Sequence, residues 1–327
     1  MKIVATILIV LVQCIYLRAA PNPLSLEDFV GSDSCLLGAQ SVSVVLYNSR
    51  FSKGKDIEME ECCANIDSSD PVFFIVHGFI SSANATNFRN LASELSQKGN
   101  TVFVVDWSQG ACTDGIPIVK LAEYPQAVKN TREIGNRIAN YTTALLKKCN
   151  VPIENIKYIG HSLGAHVSGF AAKNVTAMIG ETIPFILALD PAAPFFENND
   201  CKDRLCKSDT KRLVQFKTST LGISKRIGHL YLQFGRGKMQ PGCSINVSCS
   251  HSESIVYATD VVEDKCKHLA IPLDESLWGS LKSPKYPTSN TTDCIVVNSN
   301  ILKSDNPMEG DYRVFPECAK ETFNCKQ

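Results

Sequence analysis

Two stretches of this chain, Val72–Val76 (VFFIV) and residues 185–189 (FILAL), have no polar position. A strand with one face in water alternates apolar and polar side chains, so a run without a polar face belongs to a strand buried on both sides. Burial on both sides needs a layer above and a layer below, and helices between parallel strands supply them. Short runs rich in Val, Ile and Phe recur at 42–47, 101–105 and 156–159. Helix-length segments fall at 85–98, 124–148 and 163–172, and within 124–148 Ala127, Ile134, Ile138 and Leu145 share one face. The pattern reads as an α/β chain with an open, mostly parallel sheet and helices on both faces. No repeat, low-complexity tract or linker divides 21–327, which reads as a single domain. Residues 282–311, rich in Ser, Asn, Pro and Thr, read as loop stapled by Cys266, Cys294, Cys318 and Cys325.

Thirty-three Lys+Arg balance 33 Asp+Glu, and 44% of the 327 residues are hydrophobic, which excludes a disordered polyelectrolyte and a multi-span membrane protein. No basic excess exists to bind nucleic acid by counterion release. The unusual number is 14 cysteines, and the N-terminus bears on their compartment. Lys2 precedes an apolar run over 3–17, broken by Thr6 and Gln13, then Ala19 and Ala20. A positive start, an apolar stretch shorter than a bilayer span and small residues describe a secretory signal, assigned to 1–20. A membrane anchor is the competing reading and would need a longer run. Arg18 stands where a small residue is preferred, so the cleavage site is not sharply defined. A secreted product is expected, with 13 cysteines, room for six disulfides and one thiol left over. Cys201 with Cys206 and Cys243 with Cys249 form local loops; adjacent Cys62 and Cys63 need different partners, and Cys149 is available to one. Zinc needs paired Cys or His at ligand spacing, which Cys249-Ser250-His251 alone does not supply, so neither metal nor cofactor is expected. Five N-glycosylation sequons, at Asn84, Asn140, Asn174, Asn246 and Asn290, agree with export.

The chemistry centres on Gly160-His161-Ser162-Leu163-Gly164, which follows the run at 156–159 and opens the segment at 163–172. Strand, G-x-S-x-G, helix is the context of a nucleophile elbow, in which a tight turn presents the serine at a helix N-terminus. Such a serine needs a base, and the base an orienting carboxylate, in the chain order serine, acid, histidine. Asp190 ends the next strong strand, 28 residues after Ser162. Among six histidines, His77 and His161 lie in glycine turns and His166 on the elbow helix, all too early; His229 opens an apolar run and His268 lies in the tail. His251, on a loop beside Cys249, is the expected base. The oxyanion needs two backbone donors. The Leu163 N–H, after the serine, is one, and the Phe79 N–H, in the glycine turn closing Val72–Val76, is the other.

His77-Gly78-Phe79, Val105-Asp106-Trp107, the string from Gly160 to His166, Leu189-Asp190-Pro191-Ala192, Gln240-Pro241-Gly242-Cys243 and Cys249-Ser250-His251 together resemble the pancreatic-lipase superfamily over about 35–325. Within it the chain is most similar to insect secreted phospholipase A1 enzymes, including those of wasp and hornet venoms. The resemblance implies an α/β-hydrolase fold, a triad of Ser162, Asp190 and His251, the same two oxyanion donors, and a Cys35–Cys112 disulfide. Inactive yolk-protein relatives have lost triad members; this chain keeps all three. Lipases of the superfamily carry a long lid between the cysteines before the histidine, whereas 244–248 supplies five residues, and 202–205 supplies four in a second loop. Five residues cannot form an amphipathic lid helix. In the resembled family two short loops go with phospholipids and the sn-1 ester, so a phospholipid membrane surface or micelle is the expected partner of a monomeric enzyme. Only 76 residues follow His251, too few for the C-terminal β-sandwich of vertebrate members. Three rivals stand: a neutral triacylglycerol lipase or galactolipase with the same triad, a non-catalytic, yolk-like lipid-binding protein, and a venom or salivary allergen acting mainly as a partner-binding protein.

Overall fold

The two wholly apolar runs lie at the centre of one sheet. The computed structural model describes residues 35, 38, 41–113, 117–274, 286, 293–319 and 325, so the signal at 1–20 and the Asn290 sequon lie outside the described residues. The strands are β1 (Ser43–Tyr47), β2 (Lys55–Asp56), β3 (Val72–Val76), β4 (Thr101–Asp106), β5 (Ile156–His161), β6 (Ile183–Leu189), β7 (Thr210–Lys217), β8 (Leu230–Phe234), β9 (His268–Pro272), β10 (Ile295–Val297) and β11 (Gly310–Cys318). Among the described residues they form an 11-stranded sheet in the order β10-β9-β11-β8-β7-β6-β5-β3-β4-β1-β2. The block from β4 through β3, β5, β6, β7 and β8 to β11 is parallel, and β1, β2, β9 and β10 add antiparallel margins.

The helices are α1 (Cys62–Asn65), α2 (Thr86–Gln97), α3 (Pro117–Lys148), α4 (Leu163–Ile179) and α5 (Val247–Glu263). Side chains of β3 alternate between two cores, because successive residues of a strand point to opposite faces. Val72, Phe74 and Val76 join Ala127, Ile134, Ile138 and Leu145 of α3 and Val167 and Ala171 of α4. Phe73 and Ile75 join Phe88, Leu91 and Leu95 of α2 and Ile255, Ala258 and Val262 of α5. That division is why neither face of these strands tolerates a polar residue.

Three expectations change. Helix α3 begins at Pro117 rather than 124 and carries Pro125 inside it. Proline there removes the bond to the carbonyl of Leu121, a residue open to solvent, where water can satisfy it. Helix α4 runs on to Ile179 and stops at Gly180, whose φ of 77° is left-handed. The tail is not simply loop. Strand β10 pairs with β9, and β11 lies between β9 and β8, so the end of the chain completes the sheet. Strand β10 has only three residues and most of β11 is partly exposed, so neither makes a strong apolar run, which is why composition alone read the tail as loop.

Disulfides join Cys35–Cys112, Cys63–Cys149, Cys201–Cys206, Cys243–Cys249, Cys266–Cys318 and Cys294–Cys325. Acidic, His and Cys side chains gather in three clusters among the described residues, and each includes a sulfur held in a disulfide, which offers no thiolate to a metal. Among the described residues no helix is long and apolar enough to cross a membrane. The sequons at Asn84, Asn140 and Asn246 are exposed and Asn174 is half-buried. The odd thiol is Cys62, buried with its Sγ 3.0 Å from the Tyr141 hydroxyl. Burial pushes this thiol up to about 11, so it stays protonated and unreactive at neutral pH. A thiol reagent should therefore find no reactive group in the native, signal-free chain and one after denaturation without reductant. Rapid labelling of the native chain would show that Cys62 is reachable.

Candidate active site

Helix α4 starts one residue after Ser162, whose backbone sits at φ 57° and ψ −121°. A serine held in that region is strained, and the neighbours must leave it room. A Cβ on Gly160 would lie 2.3 Å from the Gly164 carbonyl oxygen, and one on Gly164 would lie 2.1 Å from that of Val76. Only glycine fits at both places. The bend is held by Ser162 N–H donating to the Leu189 carbonyl at 3.0 Å and Ala192 N–H donating to the Ser162 carbonyl at 3.2 Å. These bonds bring the serine turn against the end of β6, where Asp190 follows. Leu163 is the first residue of α4, so its N–H has no acceptor within the helix.

Asp190 is completely buried and has a φ of 44°. His251 Nδ1 donates to its Oδ2 at 2.6 Å. The His251 ring comes from the fifth residue of α5, at the start of its second turn, not from a loop; the helix is capped by the Asn246 side chain, which accepts from Cys249 N–H at 2.9 Å. The cap and the Cys243–Cys249 disulfide together fix where the helix begins. With Nδ1 committed to Asp190, the second ring nitrogen, Nε2, is the one left for proton transfer.

The sequence reading missed the residues that surround this pair. Thr218 N–H and Ser219 N–H donate to Asp190 Oδ1 at 2.9 and 3.3 Å, and the Ser219 hydroxyl donates to Oδ2 while lying 3.3 Å from His251 Nδ1. Lys217, also buried, donates to the carbonyls of Ser219 and Gly222, the latter at 2.6 Å, and so closes this loop around the carboxylate. Burial alone would raise the Asp190 carboxyl; the His251 hydrogen bond and charge, the Lys217 charge and the Ser219 hydroxyl outweigh it and hold the group below its ordinary range. Burial lowers the Lys217 ammonium, and the charges of Asp190 and Glu197 oppose that. The available signal was position: Lys217 ends β7, the strand beside β6, so the residues after it must reach the same sheet edge.

The early histidines are supports. His161 Nε2 lies 3.2 Å from the His251 carbonyl and the two ring centroids are 4.4 Å apart. His77 Nε2 accepts from Trp107 N–H at 3.1 Å, and the Trp107 indole N–H donates to the His77 carbonyl at 2.9 Å. Asp106 accepts from Ala83 N–H at 2.8 Å and Ser108 N–H at 2.9 Å. These bonds tie down the turn that carries Phe79. Gly78 brings this turn to the serine, since a Cβ there would sit 2.7 Å from Ser162 Cβ. His166 links α4 to the segment after Asp190, receiving Leu205 N–H at 3.2 Å and lying 2.9 Å from the Ala192 carbonyl. His229 accepts from Leu213 N–H at 2.9 Å between β7 and β8.

A serine turn and a bonded His–Asp pair at the carboxyl edge of a parallel sheet define an α/β hydrolase. The family model described as Lipase matches residues 47–275, and the chain belongs to that family. It is 49% identical to a phospholipase A1 of Solenopsis invicta, the match covering 100% of this chain and 99% of that protein. It is 37% identical to a phospholipase A1 of Dinoponera quadriceps over 90% of this chain and 80% of the other, and 41% identical to one of Vespa crabro over 70% and 76%.

Two predictions come from the buried charges. Burial holds His77 neutral down to about 4 and His161 and His166 down to about 3, whereas the unfolded imidazoles take up protons near 6.5. Below about pH 6.5 the unfolded state therefore binds more protons, and stability should fall by about 1.4 kcal/mol per pH unit for each histidine. Depressed Asp190 adds stability that is present above its unfolded range and lost as pH falls through its lower native value. Urea midpoints between pH 7 and 5 read this, and a flat profile would contradict it. Lys217→Met should cost about 3 kcal/mol in the same assay at pH 7, because it leaves a buried carboxylate short of a cation. A cost under about 1 kcal/mol would mean that the loop and carboxylate hold without it.

Proposed function

We propose that this chain is a secreted phospholipase A1 that hydrolyses the sn-1 ester of glycerophospholipids. The observation that carries the reading is the 2.6 Å His251–Asp190 bond beside a strained serine elbow. In the proposed reaction Ser162 Oγ attacks the sn-1 carbonyl carbon and its proton passes to His251 Nε2. Asp190 stabilises the resulting imidazolium, and the Phe79 and Leu163 N–H groups receive the oxyanion. Collapse breaks the ester C–O bond, and the imidazolium protonates the departing lysophospholipid alkoxide. Water then gives its proton to His251, attacks the acyl-serine, and releases the fatty acid and free Ser162.

Full-length similarity to a phospholipase A1 supports phospholipid as substrate. The two short loops support it independently. Residues 244–248 are too few for a lid helix, and Asn246 among them is used to cap α5, so no amphipathic cover needs displacing. The other loop holds only a short 3-10 turn, Cys201–Asp203. The disulfides and the apolar N-terminal run support export, and the strands after His251 complete the sheet, which supports their belonging to the catalytic domain. Phosphatidylcholine labelled differently at its two acyl positions tests the reading. The sn-1 label should appear first, triolein should be turned over poorly, and Ser162→Ala should lose about 10³-fold or more in kcat. Prior release of the sn-2 label, or near-normal turnover by Ser162→Ala, would overturn it.

A further inference from the structure

His77, His161 and His166 are all buried, but their rings are used differently. His77 Nδ1 lies 2.9 Å from the Gly78 carbonyl while its Nε2 accepts from Trp107 N–H. His166 accepts from Leu205 N–H at Nδ1 and lies 2.9 Å from the Ala192 carbonyl at Nε2. Both nitrogens of each ring are therefore engaged. His161 engages one. Its Nε2 lies 3.2 Å from the His251 carbonyl, and its Nδ1 is buried without a hydrogen-bond partner. A carbonyl only accepts, so Nε2 carries the ring proton and Nδ1 is a bare acceptor. A buried polar atom without a partner is a cost. The fold tolerates that cost at the residue joined to Ser162 by one peptide bond, and the bond that the ring does make reaches the backbone of the proposed base.

That bond joins two elements 90 residues apart: His161 ends β5, and His251 lies on α5. Asp190 holds the His251 ring through Nδ1, and the Ser254 hydroxyl donates to the same His251 carbonyl at 2.8 Å. The His251 side chain is thus held by Asp190 and its backbone by His161, and the second hold belongs to the serine turn itself. The two rings also meet, with centroids 4.4 Å apart and planes inclined at 46°. Such a contact admits an imidazolium only beside an uncharged neighbour. His161 stays neutral because burial lowers it to about 3; the titratable groups that face it are His251 on α5, Asp190 after β6 and His77 after β3, and the Phe88 ring of α2 lies 6.0 Å away. A lysine or arginine in its place would offer the donor but set a fixed cation against the ring that must take up the proton.

We propose that His161 is a positioning residue for the hydrolysis: its Nε2–H clamps the His251 backbone at a fixed distance from Ser162, and its uncharged ring lets His251 become an imidazolium. The proposal rests on the reading of Ser162 as nucleophile and His251 as base, and extends it to the residue between strand and serine. A reacting group misplaced by about 1 Å costs on the order of a hundredfold in rate, which sets the size of the effect.

Two variants separate this bond from the filling of space. His161→Gln keeps an uncharged N–H donor at about the reach of Nε2, and His161→Met keeps bulk without a donor. On a soluble short-chain ester His161→Met should lower kcat about ten- to a hundredfold with KM nearly unchanged, and His161→Gln should recover most of that loss. A second readout is the proton NMR signal of the Nδ1–H that His251 shares with Asp190, which should persist in His161→Gln and broaden away in His161→Met. Melting temperatures show whether each chain is folded. A folded His161→Met with kcat within about twofold of the parent overturns the proposal, and so does a folded His161→Gln as slow as His161→Met. Should His161→Met not fold, His161→Gln decides alone: a kcat near the parent's supports the clamp, and a fall of about a hundredfold in a folded chain overturns it. A parent that hydrolyses no ester would sink the phospholipase reading, and the NMR signal would still decide the clamp: loss in His161→Met alone sustains it, and persistence in both variants overturns it.

Discussion

A carboxylate taken wholly out of water is the constraint around which this site is built. Asp190 has no solvent, so its charge must be matched by fixed donors. His251 supplies one, the loop after β7 supplies three from Thr218 and Ser219, and Lys217 closes that loop from below. These partners come from three separate elements, which must all be in place before the anion is satisfied. The charge therefore couples β6, β7 and α5, and the orientation of the imidazole follows from that coupling. Gln240 extends it: its side-chain amide donates to the Thr218 carbonyl at 2.7 Å, its own N–H donates to Ser250 Oγ at 3.0 Å, and so the donor loop is tied to the helix carrying His251.

Strain and burial are concentrated at one edge of the sheet. Ser162, Asp190, Ile80 and Phe195 all have positive φ without being glycine. Each conformation is unfavourable locally and persists because bonds on both sides hold it, as Ser162 is held by the Leu189 and Ala192 backbone. Neutral buried histidines do much of that holding. His77, His161 and His166 each join a turn at this edge to another element, and each avoids the cost of a buried charge by staying unprotonated.

Much of the fold was legible because its signals are local. The strands at β3, β5 and β6 show as runs without a polar face, and the elbow shows as two glycines around a serine between a strand and a helix. Asp190 was singled out by its place at a strand end, and the structure bonds it to His251. His251 was singled out by elimination among six histidines, although it belongs to a helix and not to a loop. Strands β10 and β11 were hidden because their apolar character depends on neighbours far away in sequence. Ser219 and Lys217 were hidden for a related reason: nothing in Lys217-Thr218-Ser219 marks it as polar lining until β7 is laid beside β6.

The sequence by itself determined the α/β class, the glycine-flanked serine between a strand and a helix, and the two short cystine loops. Each is a matter of periodicity, spacing or number along the chain. Only the tertiary structure decided which thiol stays free, since Cys62 and Cys63 differ in whether they face Tyr141 or Cys149. It alone surrounded Asp190 with donors, because satisfying a buried charge depends on distances in space that spacing along the chain does not encode.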